Sequence, residues 1–324
     1  MSTAVVGEPL IVPKELSVRF AVRPAPARSL SPTSAATWAQ CELKYALSYL
    51  FGWQEPSTLP QLIGNAVHRG VELLYGLPQG SRDRTSASEL LRAATDEELI
   101  KPTYAQLIAG SGDLTTDLIA AGEDALDGLF ALEDPDYISV GPDGLEVWVE
   151  ATLYGAPVRG RIDRIYDASG AEVVADYKTG RVPAPRYVTK AFFGLWTYAA
   201  ALAAADPDHH LADRIELLYL VGRERLSRPV LREVALDQAK QLARTWRAIE
   251  TVVMAETATV TARTSKLCDW CAFQPACPAF TTTPEVGSAE HDALLNTAGL
   301  TQRTQRKVAD ATERLEQPTP EETP

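Results

Sequence analysis

The sequence lacks the features that mark membrane, secreted and P-loop proteins. No apolar run approaches the length needed to cross a bilayer. The N-terminus has neither the charged start nor the apolar middle of a secretion signal. The 324 residues contain no G-x-x-x-x-G-K-[ST] motif, which excludes nucleotide hydrolysis through a P-loop. These absences predict a cytoplasmic protein without membrane contact.

Two hydrolase signatures are incomplete or missing. Lys178, Thr179 and Gly180 form a K-T-G triplet, which occurs in penicillin-binding enzymes, but the S-x-x-K partner of that triplet is absent. The G-x-S-x-G motif of serine hydrolases is absent as well. Neither kind of serine acyl-transfer chemistry is therefore expected.

Basic residues are not in excess over the whole chain. The net charge of -12 argues against a protein coated in nucleic acid. Residues 159–190 reverse this balance, because seven basic residues stand there among four acidic ones, a local charge of +3. Such a stretch is either a set of ordinary solvated strand ends or a surface that faces a polyanion.

Composition divides the chain into three parts. Residues 1–28 are rich in Pro and Ala and are expected to form an N-terminal leader or an edge strand. Residues 29–280 carry the regular apolar patterns of a folded domain. Residues 281–324 are polar and acidic, which predicts a flexible tail.

Helical patterns come first and strand patterns follow. Ser31 as N-cap and Pro32 in the first turn predict the start of a long helix, and residues 60–77 carry the apolar stripe of a second one. Three strands with short turns predict an antiparallel meander: 145–155, 156–167 and 171–180. A helix (186–205), two strands (214–222 and 228–236) and a helix beginning at Asp237 are predicted next.

The stretch "VVADYKTG" ends an apolar strand with an acid and an amine two positions apart. Asp176 and Lys178 therefore project from one face, and the short turn after Asp167 can bring Asp163 of the preceding strand beside them. Converging carboxylates raise each other's proton affinity unless a cation sits between them, and oxygen ligands suit Mg²⁺ or Mn²⁺. The trio predicts metal-assisted phosphodiester hydrolysis, with a plain strand-end salt bridge as the alternative.

One histidine can be added to this group. Gly64, His68 and Glu72 stand four residues apart, so they lie along one face of the second helix. His68 is either an additional metal ligand or an ordinary core or surface histidine.

Three of the four cysteines are clustered. Cys268, Cys271 and Cys277 lie within ten residues, and Cys41 stands far away on the first predicted helix. Four thiolates suit zinc or an iron–sulfur cluster. The irregular spacing favours the cluster, while disulfides or isolated buried thiols remain as alternatives.

Five segments, taken in order, resemble the RecB-like branch of the PD-(D/E)XK nuclease superfamily. The likeness is to stand-alone exonucleases with a four-cysteine iron–sulfur cluster, whose relatives include CRISPR-associated members and the AddB nuclease domain. The segments are "LSPTSAATWAQCELKYAL", "IGNAVHRGVE", "VRGRIDRI", "VVADYKTG" and "LCDWCAFQPACPA". The resemblance implies an α/β fold with a restriction-endonuclease-like core, in which a mixed β-sheet is flanked by helices. It also implies a helical N-terminal insertion and an iron–sulfur clasp.

The resemblance also assigns residues to roles. The divalent metal would be held by His68, Asp163, Asp176 and the backbone carbonyl of Tyr177, with Lys178 as the catalytic lysine. The [4Fe-4S] cluster, or alternatively Zn²⁺, would be held by Cys41, Cys268, Cys271 and Cys277. DNA would be contacted near the site by Tyr198, and the basic stretch 159–190, with Arg161 and Arg181, would lie along the path of the phosphates. Tyr198 matches the tyrosine of the family's Q-x-x-x-Y motif, whose glutamine is replaced here by Gly194.

The function implied is a Mg²⁺- or Mn²⁺-dependent DNA exonuclease that acts on single strands or ends. Repair, recombination, phage replication and CRISPR-type processing all use such enzymes, and a helicase or recombination partner is expected because the chain has no motor of its own. A DNA-binding or assembly subunit that retains the fold with weakened catalysis is the first alternative, and a zinc-stabilised interaction protein is the second.

Overall fold

The computed structural model describes residues 12–111, 114–206 and 210–302. The helices are α1 (Pro32–Gln40), α2 (Glu42–Tyr45), α3 (Leu59–Gly76), α4 (Arg84–Leu99), α5 (Ala105–Ser111), α6 (Thr115–Leu132), α7 (Val188–Ala191), α8 (Phe193–Ala205), α9 (Arg232–Met254) and α10 (Ala289–Thr297). The strands are β1 (Glu15–Arg19), β2 (Trp53–Gln54), β3 (Ser139–Leu153), β4 (Ala156–Asp167), β5 (Glu172–Lys178), β6 (Arg214–Tyr219), β7 (Glu224–Pro229), β8 (Thr259–Arg263) and β9 (Thr301–Gln302).

The chain forms two compact units. Unit 1 contains Met1–Ala25, Cys41–Glu55 and Thr257–Pro324, and unit 2 contains Pro26–Gln40 and Pro56–Glu256. The predicted leader before residue 12 and the predicted tail after residue 302 lie outside the described residues.

Unit 2 is built on a five-stranded sheet in the order β3-β4-β5-β6-β7. The predicted antiparallel meander is confirmed as β3, β4 and β5. Strand β6 then pairs with β5 in parallel and with β7 in antiparallel orientation, so the sheet is mixed. With the helices that flank it, this arrangement agrees with the α/β, restriction-endonuclease-like core expected from the sequence.

The core of unit 2 lies between α3, α4, α6 and the sheet. Val67, Val71 and Leu74 form the predicted apolar stripe of α3 and are fully buried in this core. Helix α6 approaches the end of β6 so closely that a Cβ on Gly128 would stand 1.8 Å from the carbonyl oxygen of Leu220. Only glycine permits this contact, which fixes α6 against the strand.

Helix α8 supplies a second packing layer of unit 2. It packs against β3, β4, β5, β6 and α9. By length and composition alone, the stretch Pro185–Ala205 could cross a membrane, so the prediction that no apolar run reaches this length is wrong for that stretch. A core helix packed against a sheet needs the same apolar composition.

Several predicted elements differ from the structure at their ends. The first predicted helix begins as expected, with the Ser31 hydroxyl accepting a hydrogen bond from the Ser34 amide at 3.1 Å. It is then interrupted at Cys41, whose backbone is extended, with a φ of -160°. The strand predicted over 228–236 is wrong beyond Pro229, because a tight turn at Arg223 (φ 50°) pairs β7 with β6 earlier in the chain.

The apolar residues after β7 belong to a helix instead of a strand. Helix α9 begins at Arg232, five residues before the predicted start at Asp237. Its buried residues Ala235, Ala239 and Leu242 follow the helical spacing of four and three. The short run at 230–236 fits both periods, and only the continuation of the stripe distinguishes them.

Unit 1 is held by a two-stranded ladder and by short helices. Strands β1 and β8 pair in antiparallel orientation, and the Glu42 carboxylate on α2 accepts hydrogen bonds from the Thr261 amide and the Arg263 guanidinium, both at 2.9 Å. Helix α10 falls inside the predicted flexible tail. The tail's described part differs from that expectation because His291 and Leu295 are fully buried.

Candidate metal centre and catalytic cleft

Strand β5 presents an acid and an amine on one face, as its alternation requires. The ammonium of Lys178 contacts the carboxylate of Asp176 directly. Oδ2 of Asp176, the oxygen that Lys178 contacts, is buried. The backbone between these two residues also takes part, because the Tyr177 amide donates a hydrogen bond of 2.7 Å to Oδ2 of Asp163 on β4.

Helix α3 brings the predicted histidine to this position. Nδ1 of His68 lies 3.3 Å from Oδ2 of Asp163, and its ring stands edge-on to the ring of Tyr177 with 6.1 Å between centroids. The structure therefore brings His68 and Asp163 together, beside the Asp176–Lys178 pair.

Glu146 belongs to this centre and was missed by the sequence analysis. Ligand atoms of His68, Glu146 and Asp163 lie within 4.8 Å of one another, while Asp176 is not part of that set among the described residues. Glu146 stands on β3 next to a register shift between Val140 and Leu145. Its φ of 48° is an unfavourable left-handed backbone for a residue with a side chain. Glu146 could have been found from the sequence, because it lies opposite Asp163 when the predicted strands 145–155 and 156–167 are paired as a hairpin.

The two aspartates differ in proton affinity. Burial would raise the pKa of Asp163, but the hydrogen bond and charge of His68 and the Tyr177 amide hold this pKa below its usual range. Burial, followed by the charge of Asp163, raises the pKa of Asp176 above its usual range. Ionising Asp176 beside the charged Asp163 is therefore unfavourable in free energy unless a cation is added.

The two aspartates also shift the pKa values of Lys178, His68 and Glu146. Burial alone would lower the pKa of Lys178, but the charge and hydrogen bond of Asp176 outweigh it, so the pKa of Lys178 is raised and the amine stays charged. Burial would likewise lower the pKa of His68, which Asp163 and Asp176 together raise above its ordinary value. Burial, with the charge of Asp163 adding to it, raises the pKa of Glu146 to about 7.

An open cleft of about 520 Å³ is lined by His68, Glu146 and Asp163. Gly64, His68 and Glu72 all line it, so the face of α3 predicted from their spacing is the face turned to the cleft. Acidic and basic side chains alternate on its other walls: Arg69, Glu98, Lys101, Glu146, Arg161 and Asp163. A cleft with both signs of charge suits a phosphate that arrives with a divalent cation.

Tyr198 reaches the same strands from α8. Gly160 makes room for it, because a Cβ at that position would stand 2.4 Å from the hydroxyl of Tyr198. The Arg161 amide hydrogen-bonds this hydroxyl, while burial and then the charge of Asp176 raise the pKa of Tyr198. At Gly194 a Cβ would meet Pro32 at an ordinary 3.6 Å, so the backbone there tolerates the first carbon of a side chain.

The two predicted DNA-contacting arginines lie in different surroundings. Arg161 lines the cleft, and its Nε lies 3.1 Å from Oε2 of Glu146. Arg181 is exposed in the loop after β5. The structure thus brings Arg161 to the centre and leaves Arg181 on the surface beyond it.

The donor set fits a hard divalent cation. One imidazole nitrogen and two carboxylates converge within 4.8 Å, and Asp176 adds a buried carboxylate oxygen whose charge only the ammonium of Lys178 contacts among the described residues. Carboxylate oxygens with one imidazole and room for water suit Mg²⁺ or Mn²⁺. The cleft supplies that room.

The four cysteines all belong to unit 1. They are free and partly buried. Burial raises the pKa of Cys277 to about 11, and the charges of Cys41, Cys271 and Cys268 act in the same direction. Cys41 is therefore an electrostatic neighbour of the C-terminal three, although it precedes them by more than 220 residues.

The spacing of these thiols differs from that of a single-ion site. Among the described residues, the four sulfurs do not form a group within 4.8 Å. Four thiolates on one zinc would lie about 3.8 Å apart, given a Zn–S bond of about 2.3 Å and tetrahedral geometry. The structure therefore does not gather the four thiols as tightly as one bound zinc ion would require.

Comparison with known proteins identifies one family. The family model described as "PD-(D/E)XK nuclease superfamily" matches residues 29–278. No curated protein matches the chain. Among matching solved structures is one described as "Crystal structure of SSO0001", with 18% sequence identity and a TM-score of 0.32, covering 76% of this chain and 98% of that one.

Proposed function

The chain belongs to the PD-(D/E)XK nuclease superfamily, and on that ground we propose that it is a divalent-metal-dependent exonuclease that hydrolyses single-stranded DNA or DNA ends. Members of this superfamily are typically metal-dependent nucleases. The observation that carries the proposal is the convergence of His68 and Asp163, 3.3 Å apart, beside the contacting pair of Asp176 and Lys178.

The decisive experiment is a cleavage assay with the purified full-length chain. Labelled DNA, as single strands and as duplexes with defined ends, should be degraded with Mg²⁺ or Mn²⁺ and left intact with EDTA. Progressive shortening from one end would indicate an exonuclease. Absence of metal-dependent cleavage on every substrate would refute the proposal.

Each residue of the centre has a separate role in the proposed reaction. Lys178 remains charged because Asp176 raises its pKa, so it stabilises negative charge on the phosphate and does not act as a base. The Tyr177 amide and His68 fix the orientation of the Asp163 carboxylate. Arg161 lines the cleft and can leave Glu146 to contact a phosphate.

The metal would be held by His68, Glu146, Asp163 and Asp176, with the backbone carbonyl of Tyr177 as a further ligand expected from the family. When bound, a divalent cation lowers the pKa of a coordinated water and polarises a phosphoryl oxygen. Asp176 would then lose the penalty for its charge that Asp163 imposes in the free protein.

We expect Glu146→Gln to weaken Mn²⁺ binding by about tenfold or more, because an amide oxygen replaces a charged ligand within 4.8 Å of His68 and Asp163. Isothermal titration with Mn²⁺, without DNA, measures this affinity. The matched control is Glu150→Gln, an exposed carboxylate four residues further along β3. Equal Mn²⁺ affinity in Glu146→Gln and the parent protein would remove Glu146 from the ligand set.

Gly194 supports a second candidate function, a DNA-binding subunit with weakened catalysis. The glutamine amide expected from the Q-x-x-x-Y motif is missing at this position, where a Cβ would make only an ordinary contact with Pro32. Gly194→Gln should therefore increase cleavage if the loss of this amide limits the parent enzyme. A parent protein that binds DNA without cutting it would favour the subunit.

We further propose a [4Fe-4S] cluster on Cys41, Cys268, Cys271 and Cys277, with Zn²⁺ as the alternative. The mutual electrostatic influence of the four thiols, all in unit 1, supports it. The Ser265 amide already points at the sulfur of Cys268, at 3.4 Å, and such hydrogen bonds tune iron–sulfur centres.

Protein purified without air should be brown and contain iron, whereas Cys277→Ser should be pale and more sensitive to protease, since ligand loss uncouples metal binding from folding. Iron analysis, visible absorbance and limited proteolysis measure this. The control is Ser265→Ala, which keeps all four thiols. Colourless, zinc-containing parent protein would contradict the cluster assignment.

We also propose a partner and a location for this nuclease in DNA processing. A DNA-processing nuclease that has no motor would act with a helicase or recombination partner, and thiol ligands that must stay reduced fit the cytoplasm.

A further inference from the structure

An exposed tryptophan stands near the catalytic cleft. Trp148 on β3 is 52% exposed. The guanidinium carbon of Arg159, on β4, lies 4.4 Å from the centre of its ring. This distance is typical of a cation–π stack, so the ring is held in place on one side while its surface remains accessible.

The β3–β4 ladder places this stack in line with the catalytic residues. Trp148 lies directly opposite Arg161, which lines the cleft. Arg159, Arg161 and Asp163 alternate along β4 and therefore share one face of the ribbon. Each such step of two residues spans about 7 Å, so the tryptophan is one step from Asp163.

The chemistry of the stack suits a flat, weakly polar ligand next to a phosphate. Single exposed aromatic residues are common and need no ligand, but here the ring is braced by Arg159 and lies opposite Arg161, which lines the cleft. Glu150 lies directly opposite Arg159, so the patch is not uniformly basic and phosphate attraction alone does not account for it. Nucleobases stack on such aromatic and guanidinium planes in single-stranded nucleic-acid sites.

We propose that Trp148 and Arg159 form a stacking site for an unpaired nucleobase of the DNA strand whose backbone enters the cleft, an inference that rests on the proposed function. A base within a duplex already stacks on its neighbours and does not offer its face. The site therefore selects single strands over duplexes at a position adjacent to the phosphate that is cut.

The test compares binding of two fluorescently labelled single-stranded oligodeoxynucleotides, one normal and one with consecutive abasic positions, by anisotropy without divalent metal. The parent should bind the normal strand at least about fivefold more tightly, the ratio that corresponds to about 1 kcal/mol of stacking. Trp148→Ala should remove this difference, and Trp148→Phe should retain most of it. The control is Tyr137→Ala, which removes an aromatic side chain that is 85% exposed elsewhere in unit 2.

The outcomes separate the two proposals. If Trp148→Ala still prefers the normal strand as the parent does, while the parent cleaves DNA with metal, only the stacking site is refuted. If the parent binds neither strand and cuts no DNA, both the stacking site and the proposed function fall. Loss of binding to both strands in Trp148→Ala would mean that the residue supports the fold or the backbone path, which also contradicts a base-stacking role.

Discussion

Lys178→Ala should slow DNA cleavage by about a hundred- to a thousandfold, the usual effect of removing one group that stabilises charge in the transition state. The structure gives the reason: the ammonium contacts Asp176 at the end of β5, and that carboxylate keeps it charged. Because Lys178 is partly exposed, its loss should leave the fold and the melting temperature almost unchanged. Cleavage rates at saturating Mn²⁺, together with thermal melts, measure both effects.

Two further variants make this prediction specific. Asp176→Ala should lower cleavage at least as much and should also weaken Mn²⁺ binding, whereas Lys178→Ala should leave Mn²⁺ binding intact or stronger, because a competing cation is gone. The control is Lys240→Ala, a lysine of similar exposure on α9 that pairs with Asp237 at 3.5 Å. Undiminished cleavage by Lys178→Ala would show that the D-x-K element is only a strand-end ion pair.

Glu133→Ala should destabilise the protein by about 3–5 kcal/mol, because it leaves a buried arginine without its carboxylate. Arg164 has no exposed surface. Its guanidinium donates two hydrogen bonds to Glu133, at 2.7 and 3.1 Å, and lies 4.5 Å from the ring centres of Tyr75 and Tyr166. A loss of this size should lower the melting temperature by roughly 10 °C in a unit of about 200 residues.

The buried network of Glu133, Arg164 and the surrounding tyrosines supports the catalytic centre through the backbone. Arg164 follows Asp163 on β4, and Tyr177 follows Asp176 on β5, with the arginine 5.3 Å from that tyrosine ring. Each pair of neighbours points to opposite faces of its strand. The network therefore holds β4 and β5 on the face opposite to Asp163 and Asp176. Glu133→Ala should thus reduce Mn²⁺ affinity even at temperatures where the protein is still folded.

Controls distinguish this network from an ordinary ion pair. Asp124→Ala breaks an exposed pair with Arg223, at 2.9 Å, and should cost less than about 1 kcal/mol. The double variant Glu133→Leu with Arg164→Met removes both buried charges and should recover much of the lost stability. A melting temperature for Glu133→Ala equal to that of Asp124→Ala would contradict the assigned role.

The same pair predicts how stability changes with acidity. Burial would raise the pKa of Glu133, but the charges and hydrogen bonds of Arg164, Tyr75 and Arg225 hold it below its ordinary value of 4.5. A depressed pKa in the folded state stabilises the protein above the unfolded value and loses this effect as the pH falls through the folded one. Denaturant titrations should thus show a steeper loss of stability below about pH 4.5 in the parent than in Glu133→Gln.

The sequence alone was sufficient for features with a local period. The alternation of Asp176 and Lys178, the meander of β3, β4 and β5, and the face of α3 that carries Gly64, His68 and Glu72 depend on neighbours a few residues apart. Strand and helix geometry fixes such relations without knowledge of the rest of the fold. The match over residues 29–278 confirms the PD-(D/E)XK superfamily that the sequence motifs resemble.

Only the tertiary structure decided which distant residues join them. Glu146 reaches His68 and Asp163 because β3 shifts its register and takes a left-handed turn of backbone there, and Glu133 meets Arg164 across 31 residues. Helix α10 forms inside an acidic segment because His291 and Leu295 become buried. Contacts of this kind depend on how whole elements pack, which no local pattern of residues encodes, whereas periodicity determines only the face that each residue occupies.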